Sequence, residues 1–198
     1  PTRMTPSEAF VETMVANGVT DMFGIMGSAF MDAMDIFAPA GIRLIPVVHE
    51  QGAGHLADGY SRASGKPGVV LVTSGPGVTN AVTGIATAYM DSIPMVVFTG
   101  QVPAHLIGSD AFQEADTVGI TRSCTKHNYL VRDVNDLARV IHEAFYVATH
   151  GRPGPVLIDI PKSVQFAKGN YVGPEAIEHR TYHPRTEPQD KRIEEAVA

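Results

Sequence analysis

The chain has 198 residues, of which 44% are hydrophobic and 18% charged, and it carries a formal net charge of −6 at pH 7. These values are typical of a globular domain with an appendage and exclude an intrinsically disordered chain. Because 15 basic residues stand against 21 acidic ones without a basic run, we expect no nucleic-acid partner. No apolar run approaches the roughly 20 residues of a membrane span, the first residues lack a secretion signal, and the single Cys124 has no disulfide partner. We therefore predict a cytoplasmic protein with no membrane contact.

The first predicted element is a helix with signals at both ends. The run 5–8 has the pattern of a capping box with proline at the first helical position, and Gly18 stands where a glycine commonly ends a helix. Strands and helices then alternate: a strand over 22–25, a segment over 27–37, a strand over 44–48, a helix over 50–64, a strand over 69–72, a helix over 78–89 and a strand over 95–98.

The second half of the chain continues this alternation after a long loop over 101–116. An amphipathic helix is predicted over 133–149 and a last strand over 156–160. Because the strands are apolar on both faces, we predict a doubly wound α/β fold, with a mostly parallel sheet and helices on both faces. We assign this domain to residues 1–167. The polar stretch 168–198 is predicted to be a linker and the start of a central domain that is not present.

The candidate site lies in the loops that follow the strands, because open parallel sheets bind ligands beyond the carboxyl ends of their strands. The glycine-rich loop 73–80 opens a helix. It is compatible with anion binding by backbone N–H groups and equally with a tight turn that binds nothing. It has neither the lysine of a phosphate-binding P-loop nor the third glycine of a dinucleotide-binding loop.

Glu50 closes another of these loops and begins a predicted helix of small residues. Two interpretations are open: an acid in the first turn that the helix dipole favours, or a buried acid that shares a proton with a ligand nitrogen. His55 and Asp58 follow at spacings that match no zinc motif, so we predict no metal ligand in the chain. The small residues that follow Pro76 permit close packing within the domain or against a partner subunit.

Several motifs together resemble the thiamine-diphosphate-dependent enzymes and, among these, the catalytic subunits of acetolactate synthases. In chain order they are His-Glu-Gln-Gly-Ala-Gly-His at 49–55, Asp-Gly-Tyr at 58–60, Ser-Gly-Pro-Gly-Val-Thr-Asn at 74–80, Thr-Gly-Gln-Val-Pro at 99–103, Gly-Ser-Asp-Ala-Phe-Gln-Glu at 108–114, Thr-Lys-His-Asn at 125–128, Gly-Arg-Pro-Gly-Pro at 151–155 and Asp-Ile-Pro-Lys at 159–162. The resemblance covers residues 49–167 in the order of the family.

The resemblance implies an N-terminal domain that binds the pyrimidine of thiamine diphosphate. Such enzymes decarboxylate pyruvate and condense it with a second 2-oxo acid, in branched-chain amino-acid synthesis. In the family the glutamate of the His-Glu motif, here Glu50, hydrogen-bonds a ring nitrogen of the aminopyrimidine and so promotes loss of the thiazolium C2 proton. By similarity Ser28, Pro76 and Asn80 bind this cofactor, and Arg152 contacts an FAD. Also by similarity the residues that approach the substrate are Phe112, Gln113 and Lys162, of which Gln113 and Lys162 join Glu50 as catalytic.

The sequence departs from the acetolactate synthase pattern at two points. Met-Gly-Ser at 26–28 replaces Pro-Gly-Gly, and residues 23–31 look more like a sulfoacetaldehyde acetyltransferase, which is the alternative function. The Gly-Asp-Gly…Asn-Asn segment that holds Mg²⁺ and the diphosphate in the family does not occur here, so the isolated chain is predicted to be inactive. The resemblance further implies a homodimer or higher homo-oligomer, with a small regulatory subunit as an additional partner. A stand-alone binding or assembly module is a further alternative.

Overall fold

Six parallel strands form the central sheet in this computed structural model, which describes residues 2–25, 27–28, 30–171, 173, 179, 181–185 and 187–198. In chain order the strands of the sheet are Asp21–Gly24 (β2), Arg43–Pro46 (β3), Gly68–Val72 (β4), Met95–Gln101 (β5), His127–Leu130 (β6) and Pro155–Pro161 (β7). A separate antiparallel pair joins Thr2–Met4 (β1) to Gly169–Tyr171 (β8).

Helices follow most of the strands and cover both faces of the sheet. They are Pro6–Ala16 (α1), Met31–Met34 (α2), Glu50–Ser64 (α3), Pro76–Met90 (α4), Thr117–Thr121 (α5), Leu137–Thr149 (α6), Lys162–Phe166 (α7) and Asp190–Val197 (α8). None of the helices in the described ranges is long and apolar enough to cross a membrane.

The strand order of the central sheet is β3-β2-β4-β5-β7-β6. The chain runs from β2 outward to β3 on one side, and from β4 to β5 on the other. Strand order therefore reverses between the neighbours β2 and β4, and such a reversal opens a crevice at the carboxyl ends of the strands. The predicted doubly wound α/β fold is confirmed.

Two hydrophobic cores lie on opposite faces of the sheet. Successive strand residues point to opposite faces, so Val96 and Phe98 of β5 face α1 and α6, whereas Met95 and Val97 face α3 and α4. The strands are buried along their whole length in β4, β5 and β7. This explains why they read as continuous apolar runs in the sequence.

The predicted elements agree with the structure within a few residues, whereas the short elements β1, β8, α5 and α7 were not predicted. Three further differences concern α4, the segment 27–37 and β6. Helix α4 begins at Pro76 rather than at residue 78, because proline is favoured at the first helical position. Among the described residues of the segment 27–37, only Met31–Met34 is helical, and turns follow. Strand β6 was not predicted, since its sequence His-Asn-Tyr-Leu is polar and short, as edge strands often are.

Parts of the stretch after residue 167 contact the domain. Residues 169–171 pair with β1, and Tyr182 donates a hydrogen bond to the backbone oxygen of His150 at 3.0 Å. The domain boundary at 167 stays a prediction. The helix predicted over 191–198 is present as α8, at Asp190–Val197.

Candidate active site

The loops after β2 and β4 meet at the reversal of strand order. A β-carbon built on Gly27 would lie 2.5 Å from the Cβ of Thr73, so only a glycine permits this contact between the two loops. Ser28, predicted to bind a cofactor, follows Gly27 directly, and Pro76 begins the helix three residues after Thr73. Ser28 therefore lies in one of the two loops that flank the crevice, and Pro76 lies where the other loop enters α4.

Glu50 begins α3 beside this crevice and is buried, with 9% of its surface exposed. Nδ2 of Asn80, on α4, donates a hydrogen bond to Oε2 of Glu50 at 3.0 Å. Within the described part of the chain, no group donates to the other carboxylate oxygen, Oε1. The site thus offers one fixed and one available oxygen on a buried acid.

Close contact between two helices sets the distance between Glu50 and Asn80. Gly54 and Gly84 each lie four residues, about one helical turn, beyond these side chains. A β-carbon on Gly84 would lie 2.7 Å from the Cα of Gly54, so the two backbones touch. The small residues of both helices therefore bring the acid and the amide into hydrogen-bond distance.

The first turn of α4 leaves few free donors for an anion. Pro76 has no N–H, and the N–H groups of Gly77 and Thr79 donate to the oxygens of Ser74 and Gly75. Of the two interpretations of the glycine-rich loop, this geometry favours the tight turn. Gly75 itself has φ of 57°, which a glycine adopts at little cost.

The loop that carries Phe112 and Gln113 packs against this turn. A β-carbon on Gly75 would lie 2.5 Å from the backbone oxygen of Gln113. The Glu114 carboxylate closes the loop by accepting hydrogen bonds from the N–H groups of Gly108 and Ala111, and these bonds lower its pKa. Phe112 projects from the loop with 88% of its surface exposed.

Lys162 lies at the same edge of the sheet but farther along it. It follows β7, which is two strands from β4, and its Nζ lies 5.9 Å from the centre of the Phe166 ring. The loop after β5 reaches this region, because the N–H of Ala104 donates to Oγ of Ser163 at 3.1 Å. The structure therefore connects Lys162 to the loop of Gln113, not to Glu50 directly.

Arg152 lies at the amino ends of the strands, whereas the other predicted residues lie at the carboxyl ends. It precedes β7, whereas they follow their strands, and its Nε donates to Oγ of Ser92 at 2.8 Å. The FAD contact predicted for it is therefore separate from the crevice at Glu50.

Asp159 is a buried acid near the site that the motif match alone did not single out. It is 1% exposed, and Thr99 and Gln101 donate to its two oxygens at 2.6 and 2.9 Å. Burial raises its pKa to about 7, although these hydrogen bonds act in the opposite direction. A lone acid inside the apolar strand 155–161 was the signal that could have identified it.

Comparison with known proteins extends this description. A family described as "Thiamine pyrophosphate enzyme, N-terminal TPP binding domain" matches residues 4–120, more than half of the chain. The chain belongs to this family. It thus corresponds to the N-terminal domain of a thiamine pyrophosphate (TPP) enzyme, as the motifs predicted.

Three relatives illustrate the similarity to curated proteins. The acetolactate synthase large subunit of Buchnera aphidicola is 48% identical over 197 residues, which cover 98% of this chain and 34% of the relative. The acetolactate synthase isozyme 3 large subunit of Escherichia coli is 49% identical with the same coverage. The mitochondrial acetolactate synthase catalytic subunit of Saccharomyces cerevisiae is 57% identical over 165 residues, 83% of this chain and 24% of the relative. The chain therefore spans about a third, or less, of the length of these relatives.

The alternative interpretation depended on residues 23–31. Met26 and Ala29 of that stretch lie outside the described residues. The similarity to acetolactate synthases along 98% of the chain favours the acetolactate synthase interpretation.

Proposed function

We propose that this domain binds the aminopyrimidine of TPP at Glu50 and serves an acetolactate synthase. The observation that carries the proposal is the buried Glu50 carboxylate at the reversal of strand order, with Oε2 held by Asn80. Membership of the TPP enzyme family and similarity to acetolactate synthases support it.

The available oxygen of Glu50 fits an aminopyrimidine ring. A carboxyl group at this position hydrogen-bonds a ring nitrogen, and its proton can pass to and fro across that bond. Because water is largely excluded around a buried acid, the bond is stronger than on the surface. Pro76 and Ser28, on the loops that flank the crevice, are proposed to contact the ring from either side.

When bound, TPP supplies a carbon nucleophile suited to the decarboxylation and condensation of 2-oxo acids. The task of this chain is then to hold and move a proton at the Glu50 carboxylate. Asn80 keeps that carboxylate oriented, since its amide occupies the oxygen that does not face the ligand.

We propose that the loop 108–114 and Lys162 form the substrate side of the site. An ammonium group and an amide are suited to the carboxylate and carbonyl of pyruvate and of a second 2-oxo acid. Exposed Phe112 offers an apolar surface for the methyl group of such a substrate. Gln113 and Lys162 thereby act as catalytic residues together with Glu50.

Further partners are proposed from the family resemblance. They are Mg²⁺ held by a different domain, an FAD near Arg152, a second copy of the subunit and a small regulatory subunit. We also propose that the protein is located in the cytoplasm. Within the described ranges, no group of three or more His, Cys, Asp or Glu side chains is placed to hold a metal ion. We propose that the Mg²⁺ is held by residues of that other domain.

The role of Glu50 is tested by exchange of the TPP C2 proton for deuterium, measured by NMR in a polypeptide of the relatives' full length that carries this chain. Glu50→Gln keeps the size of the side chain but removes its proton transfer, so we expect exchange to slow by about 10²–10⁴-fold. Glu12→Gln, an exposed change on α1, is the matched control and leaves the rate unchanged. Unchanged exchange in Glu50→Gln would refute the proposal.

The substrate is tested in the same polypeptide by the identity of the product. Acetolactate from pyruvate supports the proposal, whereas acetyl phosphate from sulfoacetaldehyde and phosphate would favour the alternative function. If neither product forms and TPP does not bind, the stand-alone module becomes the better interpretation.

A further inference from the structure

A buried hydrogen-bond cluster lies at the base of the loop that carries Phe112 and Gln113. Thr99 and Gln101 of β5 and Asp159 of β7 point to the same face of the sheet, where Thr99 stands opposite Asp159 in the strand register. Gln101 and Asp159 are 4% and 1% exposed. No role assigned above to a cofactor or substrate residue explains this polar cluster in an apolar core.

The amide of Gln101 is fully used by three partners. Its Nε2 donates to Oδ2 of Asp159 and to the backbone oxygen of Ala115, each at 2.9 Å, and its Oε1 accepts from the N–H of Val102 at 2.8 Å. An amide has two donor hydrogens, so both are engaged here. Asp159 accepts only from the nitrogen side and thereby fixes which way the amide points.

These bonds close the loop 102–115 at its two ends. Val102 is the first residue of the loop and Ala115 the last, and Gln101 bonds to both. We call Val102 and Ala115, held together by Gln101, the neck of the loop. Beyond this neck, Glu114 closes the inner turn over 108–114, and the backbone of Gln113 contacts Gly75. Gln113 holds a φ of 58°, a conformation that costs a non-glycine residue about 1 kcal/mol or more unless its surroundings fix it.

We propose that Asp159 is a positioning residue: through the amide of Gln101 it holds the neck of the loop 102–115 and so places Gln113 and Phe112 at the crevice. Its own carboxylate is 1% exposed, so this role requires no contact with the proposed cofactor or the substrate. The bonds from Gln101 to Asp159 and to Ala115 place this buried carboxylate at the base of the loop, and the same burial raises its pKa. The link to substrate binding rests on the proposed function, whereas the order of the loop does not.

The first test measures hydrogen–deuterium exchange of backbone amides in the loop by mass spectrometry, which needs no activity. Gln101→Ala removes all three bonds at the neck, and Asp159→Ala frees the amide to turn. We expect exchange within 102–114 to rise roughly tenfold in both variants. Asp159→Asn keeps an acceptor for Gln101 while Thr99 can accept from the new amide, so the loop stays protected. An unchanged loop in Gln101→Ala would overturn the proposal.

A double substitution separates the positioning of the loop from the stability of the core. Gln101→Glu combined with Asp159→Asn restores a pair between residues 101 and 159, but a carboxylate at 101 cannot donate to the oxygen of Ala115. At pH 8 we expect its melting temperature to recover above that of Asp159→Ala while the loop still exchanges rapidly. If loop protection recovers together with the melting temperature, the neck bond does not position the loop.

Kinetics in a polypeptide of the relatives' full length complete the test. Asp159→Ala and the double variant are expected to raise KM for the 2-oxo acid roughly tenfold and to change TPP affinity less than twofold, since Glu50 and Asn80 lie on other elements. Thr13→Val, which removes an equally buried hydroxyl on α1, is the control and alters neither KM nor loop exchange. Unchanged KM with faster loop exchange would overturn the link to substrate, and a product other than acetolactate would refute the proposed function alone.

Discussion

The two faces of the sheet are packed by different kinds of side chain. On the large-residue face, where α1 and α6 pack, the core is built from aromatic and long side chains such as Phe10, Met14, Phe98 and Phe145. On the small-residue face, α3 and α4 meet through alanines and glycines, and their backbones touch at Gly54 and Gly84. Side chains thus hold the helices apart from their neighbours on one face, and backbone contact sets their distance on the other.

This difference assigns different tasks to the two faces. Long side chains bury the most apolar area and give the larger share of hydrophobic stability. Backbone contact leaves little freedom to shift, and therefore it fixes the distance between Glu50 and Asn80, one turn from the glycines. We infer that stability depends most on the large-residue face and the geometry of the site most on the small-residue face.

The largest expected effect is the loss of stability in Phe98→Ala. Phe98 is fully buried on the large-residue face and its ring packs edge-on against Phe10, with ring centres 4.8 Å apart. Removing it leaves a cavity, so the free energy of unfolding is expected to fall by about 3–5 kcal/mol, as urea titration would measure.

The same variant separates the two faces. For the fraction of Phe98→Ala that remains folded, the TPP affinity measured by calorimetry is expected to stay within twofold of that of the original protein. Phe112→Ala, at an exposed position, is the control for loss of an aromatic ring and should change stability by less than about 0.5 kcal/mol. A large loss of TPP affinity in Phe98→Ala would show that the faces are coupled.

A pH-dependent effect is expected at the polar end of the small-residue face. The pKa of Asp159 is about 7 in the folded chain because of burial, with nearby Asp116 raising it further, and close to 3.8 when unfolded. Between these values the folded chain binds more protons than the unfolded one, so its stability falls as pH rises and is lowest, for this group, above pH 7.

Comparison of the chain with Asp159→Asn isolates this contribution. Relative to the variant, the original chain is expected to lose up to about 4 kcal/mol in free energy of unfolding between pH 4 and pH 8. Urea titrations of both proteins across this range measure the difference. A difference that does not change with pH would mean that Asp159 titrates as an exposed acid does.

Much of the fold could be predicted because its strands are buried on both faces. Runs such as 69–72 need no knowledge of their neighbours to be recognised, and the carboxyl ends of parallel strands must meet at one edge. The nearness of Glu50, Pro76 and Ser28 follows from that rule. The bounds of α3, residues 50–64, were predicted as observed, since small and apolar residues run to a glycine at its end.

The rest depends on pairings between distant parts of the chain. Gln101 and Asp159 are bonded because β5 pairs with β7, whereas β6, between them in sequence, lies at the edge. Local pattern does not encode that order, so neither residue was assigned a role. The position of Arg152 could not be predicted for a similar reason: a motif match names a residue without stating at which end of the strands it lies.

Gly84→Ala is expected to have the smallest effect on stability among these substitutions. Its main effect should be on the geometry of the site. The new β-carbon would lie 2.7 Å from the Cα of Gly54, so α3 and α4 must move apart. Overpacking of this kind costs about 1–3 kcal/mol. Because Glu50 and Asn80 separate with the helices, we expect TPP affinity, measured by calorimetry, to fall more than tenfold.

Gly59→Ala is the matched control, since it makes the same chemical change on α3 with the opposite expected sign. A β-carbon on Gly59 would meet no atom within 4 Å, and alanine favours a helix over glycine by about 0.5–1 kcal/mol. Stability should therefore rise slightly while TPP affinity stays the same. If Gly84→Ala were as harmless to TPP affinity as Gly59→Ala, contact between the helix backbones could not be what sets the site. If only Gly84→Ala loses affinity, the position of Glu50 depends on the absence of a side chain at residue 84.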